Sequence, residues 1–103
     1  MINAIKQFLG IGPKADYSQL LKEGAIIIDV RSKEEYQAGH LRNSLNIPLN
    51  NLSDDYSKLK KEKAIITCCA SGMRSSQAKS ILKSKGYEVY NDGNWACLQN
   101  KIK

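Results

Sequence analysis

The stretch AIITCCASGMRS, residues 64–75, decides the fold of this chain. Its first five residues are apolar or β-branched without alternation, which is typical of a strand buried on both faces of a sheet. The next residues are small, polar and cationic, and they lead into an amphipathic helix at 75–85, where Ala78, Ile81 and Leu82 share one face. A buried strand that passes through a short loop into a helix indicates an α/β architecture.

The rest of the sequence repeats this alternation, so we predict an α/β fold with an open, mostly parallel sheet flanked by helices. A second buried strand is predicted at 25–30 (AIIIDV). Ser32 and Glu35 form a capping-box pattern that opens a short helix ending at Gly39. The shorter predicted segments are strands at 44–47 and 87–90, helices at 17–22, 53–60 and 95–102, and a turn at 92–94.

Length and composition indicate one domain. The chain has 103 residues, 42% of them hydrophobic, which suits a single packed domain over 1–103 with 1–13 as a short N-terminal extension. The apolar run within 1–13 is interrupted by Lys6 and is too short for a secretory or membrane segment. We therefore predict a cytoplasmic monomer that does not bind membranes, with an export signal trimmed before Met1 as the alternative.

Charge and cysteine usage exclude several classes of protein. A formal net charge of +6 favours anionic partners in general. The lysines are spread over several segments without interleaved aromatic residues, so we predict no nucleic-acid binding. An odd number of cysteines, three, indicates free thiols in a reducing compartment. The chain has no Cys-x-x-Cys motif and one histidine, His40, so we predict no metal site.

The loop between the predicted strand and helix carries the residues for chemistry. Ligands of open α/β sheets bind at the carboxyl ends of the strands, and N–H groups at a helix N-terminus point toward a bound anion. A cysteine thiolate is stabilised in this place, and an arginine adds a fixed cation. Gly72 allows positive φ, so that several N–H groups can converge on one sulfur. The candidate nucleophile is Cys69, and the candidate loop consists of Ala70, Ser71, Gly72, Met73, Arg74 and Ser75.

Structural interpretations of the same residues are the alternative. A free cysteine is commonly a small buried hydrophobe, and Arg74 in the first turn of a helix could be a surface residue. The polar and cationic residues that follow Cys69 favour a reactive thiol. We interpret Cys68 as a strand-end residue, with a disulfide to Cys69 as the alternative, and Cys97 as a core residue.

Residues 69–75 resemble the active-site loop of the rhodanese family, Cys-x-Ser-Gly-x-Arg-Ser, at every fixed position. Further segments also resemble the family's sequence: DVR at 29–31 with EEY at 34–36, GHL at 39–41 with NIP at 46–48, and GY at 86–87. The resemblance covers about residues 16–95. On these motifs the chain is identified as a member of the rhodanese-like family, of the single-domain type.

This resemblance implies a sulfurtransferase with a ping-pong mechanism and no metal or organic cofactor. Cys69 would take the outer sulfur of a small anionic donor such as thiosulfate. The persulfide would pass that sulfur to cyanide, a thiol or a protein acceptor. The resemblance also places His40 in a structural turn, with a role as base for the cysteine as the alternative. Asp29 and Arg31, which follow a buried strand, are interpreted as supporting residues that hold neighbouring loops.

The chain departs from the family pattern at three places. Residues 42–44 (RNS) replace the usual Pro-Gly-Ala, where Asn43 still tolerates left-handed φ. Ala70 stands where some members carry a cation that helps to hold thiosulfate. The family's terminal Gly-Gly…Trp is shortened here to GNW at 93–95. We interpret Trp95 as a packing residue near the site.

Two other functions remain as alternatives. Cys68 and Arg74 have the Cys-x5-Arg spacing of cysteine phosphatases, although the glycine expected three residues after the nucleophile follows Cys69 and not Cys68. The second alternative is a non-catalytic rhodanese module that only docks to a partner. The intact Cys69 and Arg74 argue against it, because a docking module has no need of them.

Overall fold

The computed structural model describes residues 16–102, and the predicted N-terminal extension at 1–13 lies outside them. The centre of the fold is a four-stranded parallel sheet in the order β2-β1-β3-β4. This arrangement confirms the predicted α/β fold with a parallel sheet. The strands are β1 (Ile26–Asp29), β2 (Leu45–Asn46), β3 (Ile65–Cys69) and β4 (Val89–Asn94).

Five α-helices lie between and beside the strands in residues 16–102. They are α1 (Tyr17–Lys22), α2 (Lys33–Ala38), α3 (Leu49–Asp55), α4 (Met73–Ser84) and α5 (Trp95–Lys101), with a 3₁₀ turn at Tyr56–Lys58 after α3. The described part of the chain has no helix long and apolar enough to span a membrane.

Local capping explains where two of the helices begin. The Asp16 carboxylate accepts the Gln19 N–H at 3.1 Å and caps α1. At α2, Ser32 Oγ accepts the Glu35 N–H at 3.2 Å while Glu35 Oε1 accepts the Ser32 N–H at 3.0 Å. The predicted capping box is therefore confirmed.

The helix predicted at 53–60 is placed wrongly. α3 begins directly after Pro48, whose carbonyl accepts the Asn51 N–H at 2.8 Å, and the last predicted turn is 3₁₀. Pro48 suits the start of a helix because its φ is fixed and it has no N–H to satisfy. The earlier start also buries Leu52 completely.

The strand predicted at 87–90 exists but begins and ends later, and the turn predicted at 92–94 is wrong. β4 runs from Val89 to Asn94, because a β-bulge lets the strand continue through the predicted turn. Thr67 pairs with Asn91 and Cys68 with Gly93, so Asp92 is the extra residue. A single-sequence pattern does not reveal such a bulge, since Asp-Gly-Asn has the composition of a turn.

Each face of the sheet has its own core. α3 and α4 cover one face through Leu52, Ala78 and Leu82, and this cluster includes Cys69. α1 and α5 cover the other face through Tyr17 and Leu98, and that cluster includes Cys68. Successive residues of a strand point to opposite faces, so the two cysteines lie in different cores.

Candidate active site

The loop after β3 encloses the sulfur of Cys69. Gly72 is the N-cap of α4 and has φ +105, a conformation that glycine adopts without strain. It directs the Gly72 N–H to Cys69 Sγ at 2.9 Å, and the Ser75 N–H reaches the same sulfur at 3.4 Å. Helix α4 therefore begins two residues earlier than predicted, at Met73, with its first N–H groups turned toward a sulfur atom.

The Ser75 hydroxyl completes this environment. Ser75 is fully buried, and its Oγ lies 3.4 Å from Cys69 Sγ and donates to the Gly72 carbonyl at 3.2 Å. In the thiol form the Cys69 S–H donates to Ser75 Oγ. When the sulfur is ionised, rotation of the hydroxyl makes it a donor to the sulfur, since a hydroxyl can both donate and accept.

The hydrogen bonds outweigh burial in the ionisation of Cys69. Burial alone raises the pKa of this thiol, but donors from the Ser75 hydroxyl, the Ser75 N–H, the Gly72 N–H and the Ser71 N–H lower it further than burial raises it. The pKa of Cys69 therefore lies below its ordinary value. The arrangement stabilises negative charge on this sulfur.

The other two cysteines have different surroundings. Cys68 is fully buried in the opposite core, and burial together with the nearby Asp29 carboxylate raises its pKa to about 12. Cys97, which we predicted in the core, is exposed on α5, because the apolar side of that helix is carried by Leu98. All three cysteines are free thiols.

Arg74 is bound to a carboxylate. Its Nη1 lies 2.6 Å from Glu35 Oε1 and its Nη2 lies 3.1 Å from Glu35 Oε2, a bidentate pair between α4 and α2. The Arg74 guanidinium is close enough to Cys69 for the thiolate to raise its pKa, after the larger effect of Glu35. The sequence predicts that Arg74 adds a fixed cation to the Cys69 loop, and in the structure the hydrogen bonds of that cation go to Glu35.

Asp29 and Arg31 form a buried ion pair at the carboxyl end of β1. Arg31 Nη2 lies 2.8 Å from Asp29 Oδ2, and Arg31 Nε and N–H also donate to this carboxylate. Arg31 Nη2 further donates to the Gly39 carbonyl at 2.6 Å, and its guanidinium lies 4.9 Å from the centre of the Trp95 ring. The pair thus ties β1 to the α2 terminus and to α5.

His40 lies on the surface and contacts Tyr36. Its ring stacks on Tyr36 with centroids 3.8 Å apart, and its Nδ1 lies 2.8 Å from the Tyr36 carbonyl. The neighbouring turn contains Asn43 with φ 67, as we predicted for the residue that replaces glycine. These contacts are those of a turn at the end of α2.

Two residues at the site were missed as site residues. Glu35 was recognised as a capping residue and as part of the family-like segment at 34–36, and nothing in its spacing to Arg74 reveals their contact. Asn94 Nδ2 donates to the Ala70 carbonyl at 2.8 Å, while Asn94 Oδ1 caps α5 by accepting from Ala96 and Cys97. The Asn-Trp boundary before a helical pattern was the available signal for that cap.

The bulge in β4 brings a second glycine against the loop. A Cβ added at Gly93 would lie 3.5 Å from the Gly72 Cα, and the residue has φ +92. A side chain at Gly93 would therefore be strained by its backbone conformation, and its Cβ would lie in van der Waals contact with the N-cap of α4. The small residues on both sides allow β4 to approach the loop closely.

Comparison with known proteins gives the family. The rhodanese-like domain model matches residues 14–94. The thiosulfate sulfurtransferase GlpE of Pseudomonas savastanoi pv. phaseolicola is 27% identical over 85 residues, which cover 81% of this chain and 80% of that protein. The adenylyltransferase and sulfurtransferase uba4 of Ogataea parapolymorpha is 40% identical over 88 residues, and the match covers 73% of this chain but only 23% of that longer protein.

A solved structure agrees with these likenesses. A rhodanese with anions from E. coli is 34% identical, with a TM-score of 0.66 and coverage of 71% of this chain and 89% of that one. The family match extends over most of the described residues and includes the Cys69 loop. The chain therefore belongs to the family of rhodanese-like domains.

Proposed function

We propose that the chain is a sulfurtransferase that carries sulfur as a persulfide on Cys69. The observation that carries this proposal is the ring of donors around Cys69 Sγ, with the Gly72 N–H at 2.9 Å and the Ser75 N–H at 3.4 Å. Donors fixed around a sulfur anion stabilise the thiolate before transfer and support a terminal persulfide anion after it. The buried Ser75 hydroxyl adds a donor that can turn to either species.

The first half-reaction is nucleophilic. The Cys69 thiolate attacks the outer sulfur of a donor such as thiosulfate, a new S–S bond forms, and the S–S bond of the donor breaks with sulfite leaving. Total charge is conserved and no oxidant is required. Ala70 and Ser71 are small and exposed above the fully buried Cys69, so the donor sulfur enters past them.

The second half-reaction returns the thiolate. A nucleophile such as cyanide or a thiol, free or on a protein, attacks the outer sulfur of the persulfide, and the Cys69–sulfur bond breaks. This covalent route divides one transfer into two displacements. The names of the relatives GlpE and uba4 both include sulfurtransferase, which supports this class of chemistry.

The surroundings of Cys68 support Cys69 as the nucleophile. Cys68 is packed in the core on the opposite face of β3, and its pKa of about 12 keeps it protonated at neutral pH. A phosphatase register starting at Cys68 would need that sulfur in the loop. The geometry therefore favours sulfur transfer over phosphate-ester hydrolysis.

Intact-protein mass after incubation with thiosulfate, and separately with an organic hydropersulfide, tests the proposal. We expect a gain of one sulfur atom that cyanide removes as thiocyanate, and that is lost in Cys69→Ser but kept in Cys68→Ser. No mass gain with either donor would contradict the proposal and favour a docking module. Hydrolysis of an aryl phosphate that depends on Cys68 would favour the phosphatase alternative.

A further inference from the structure

We propose that Glu35 determines which sulfur donor the Cys69 loop accepts: by holding the Arg74 guanidinium it disfavours the dianion thiosulfate and favours organic hydropersulfides, R–S–SH. This inference rests on the proposed sulfurtransferase function and names the donor class of the same site.

The first step concerns the charge of the loop. Residues 69–75 contain one charged side chain, Arg74. Both of its Nη atoms bind the Glu35 carboxylate, at 2.6 and 3.1 Å. A guanidinium recognises carboxylates and oxyanions through the same planar fork of donors. A sulfonate-like group of a donor would therefore have to displace Glu35 to use this fork.

The second step concerns how firmly Glu35 is held. Its Oε1 also accepts the Ser32 N–H at 3.0 Å within the capping box, so the carboxylate is fixed by α2 as well as by Arg74. The hydrogen bond from Arg74, followed by that from the Ser32 N–H, lowers the pKa of Glu35 to about 2. The negative charge is present throughout the neutral range and repels a dianion near the loop.

The second arginine at this edge of the sheet is also engaged. Arg31 binds Asp29 and the Gly39 carbonyl, so its charge is balanced by a buried carboxylate. Next to the loop, Met73 exposes 73% of its surface at the first residue of α4. Arginines whose charge is balanced by carboxylates, together with an exposed thioether, suit a donor whose organic carrier has no net charge better than they suit the dianion thiosulfate.

The transfer from such a donor balances without a further reactant. The Cys69 thiolate attacks the outer sulfur of R–S–SH, the donor S–S bond breaks, and its electron pair leaves as R–S⁻. The outer proton passes to that leaving thiolate, which gives R–SH and the Cys69 persulfide anion. Redox equivalents are conserved, as in any displacement between thiolate and persulfide.

Glu35→Gln tests the assignment, and Glu34→Gln is the matched control. Glutamine at position 35 keeps the capping box, because its amide oxygen still accepts the Ser32 N–H, while it removes the charge that holds Arg74. Glu34 is exposed on the same helix. The measurement is kcat/KM for persulfide formation on Cys69 with thiosulfate and with cysteine hydropersulfide, at two ionic strengths.

We expect Glu35→Gln to raise kcat/KM for thiosulfate by about three- to tenfold, mainly by lowering KM. The kcat/KM for cysteine hydropersulfide should change by less than about twofold. The gain should shrink as salt is added, since it is electrostatic. Glu34→Gln should leave the ratio between donors unchanged. Unfolding midpoints of the variants control for stability.

Two contrary results are distinguishable. Equal or lower use of thiosulfate by Glu35→Gln, or an equal change for both donors, would overturn the role of Glu35 while leaving persulfide formation intact. Absence of a Cys69 persulfide in the parent protein with either donor would remove the proposed function itself, and the donor assignment with it.

Discussion

Cys68 and Cys69 are neighbours on one strand, both are fully buried, and their thiols are shifted in opposite directions. Cys68 faces a core where burial, followed by the charge of the Asp29 carboxylate, raises its pKa to about 12. Cys69 faces the first turn of α4, where N–H and O–H groups outweigh burial. Burial alone thus does not set the reactivity of a cysteine, because the donors around the sulfur decide the sign of the shift.

The largest expected effect separates the two thiols in function. Cys69→Ala should abolish persulfide formation, whereas Cys68→Ala should retain most of it and lose about 1 to 2 kcal/mol of unfolding free energy through the small cavity that it leaves. Mass spectrometry and urea unfolding measure the two quantities. Persulfide formation that depends on Cys68 alone would reverse the comparison.

The next largest effect lies on the Cys68 side. Asp29→Asn should lower the unfolding free energy by about 3 to 5 kcal/mol, because it leaves the buried Arg31 cation without its counter-charge. It should also lower the pKa of Cys68, since that carboxylate helps to raise it. Urea unfolding measures the first effect, with Asp54→Asn at an exposed position as the control variant. Equal stability of the two variants would show that the pair is unimportant.

A smaller effect concerns the donors on the Cys69 side. At mildly acidic pH, iodoacetamide should label Cys69 before the exposed Cys97, because the pKa of Cys69 is lowered. Ser75→Ala should raise that pKa and slow labelling by about three- to tenfold, as expected for loss of one hydrogen bond to a charged group. Ser76→Ala is the matched control, since Ser76 is exposed on the same helix. The measurement is the labelling rate against pH, read by peptide mass. Equal rates for Ser75→Ala and the parent would contradict this prediction.

The smallest effect concerns the half-exposed pair of Arg74 with Glu35. The pKa of Glu35 is lowered from 4.5 to about 2, so its contribution to stability is present above pH 4.5 and is lost as the pH falls toward 2. The urea midpoint of the parent should therefore exceed that of Glu35→Gln slightly at pH 7 and converge with it near pH 2. A midpoint difference that does not change with pH would show that the carboxylate charge contributes nothing to folding.

The sequence predicted the general architecture because its signals are local. Strands at 25–30 and 64–68 are continuous β-branched runs, and Ser32 with Glu35 is a capping box within one turn. Prediction from the sequence failed where a feature depends on contact with a residue that is distant in the chain. The bulge at Asp92 depends on the register with β3, and the contact between Glu35 and Arg74 depends on how two helices pack.

For the thiols, the sequence predicts the position of Cys69 but not the exposure of Cys97. The loop motif predicts which sulfur faces the helix N-terminus, since strand alternation and the position of Gly72 are both visible in the sequence. The exposure of Cys97 was mispredicted because its apolar neighbours pack toward the sheet while it points outward on α5. Residue type alone does not give the rotation of a short helix.

The strand order β2-β1-β3-β4 has a consequence for how the chain acquires its reactive thiol. β3 pairs through Ile65 with Ile26 on one side and Val89 on the other, so the strand that ends at Cys69 is assembled only from contacts between distant parts of the chain. Loop closure of this kind is slow compared with helix formation. We therefore expect the acidic-pH reactivity of Cys69 to arise late in folding, and pulse alkylation during refolding would time the completion of the central sheet.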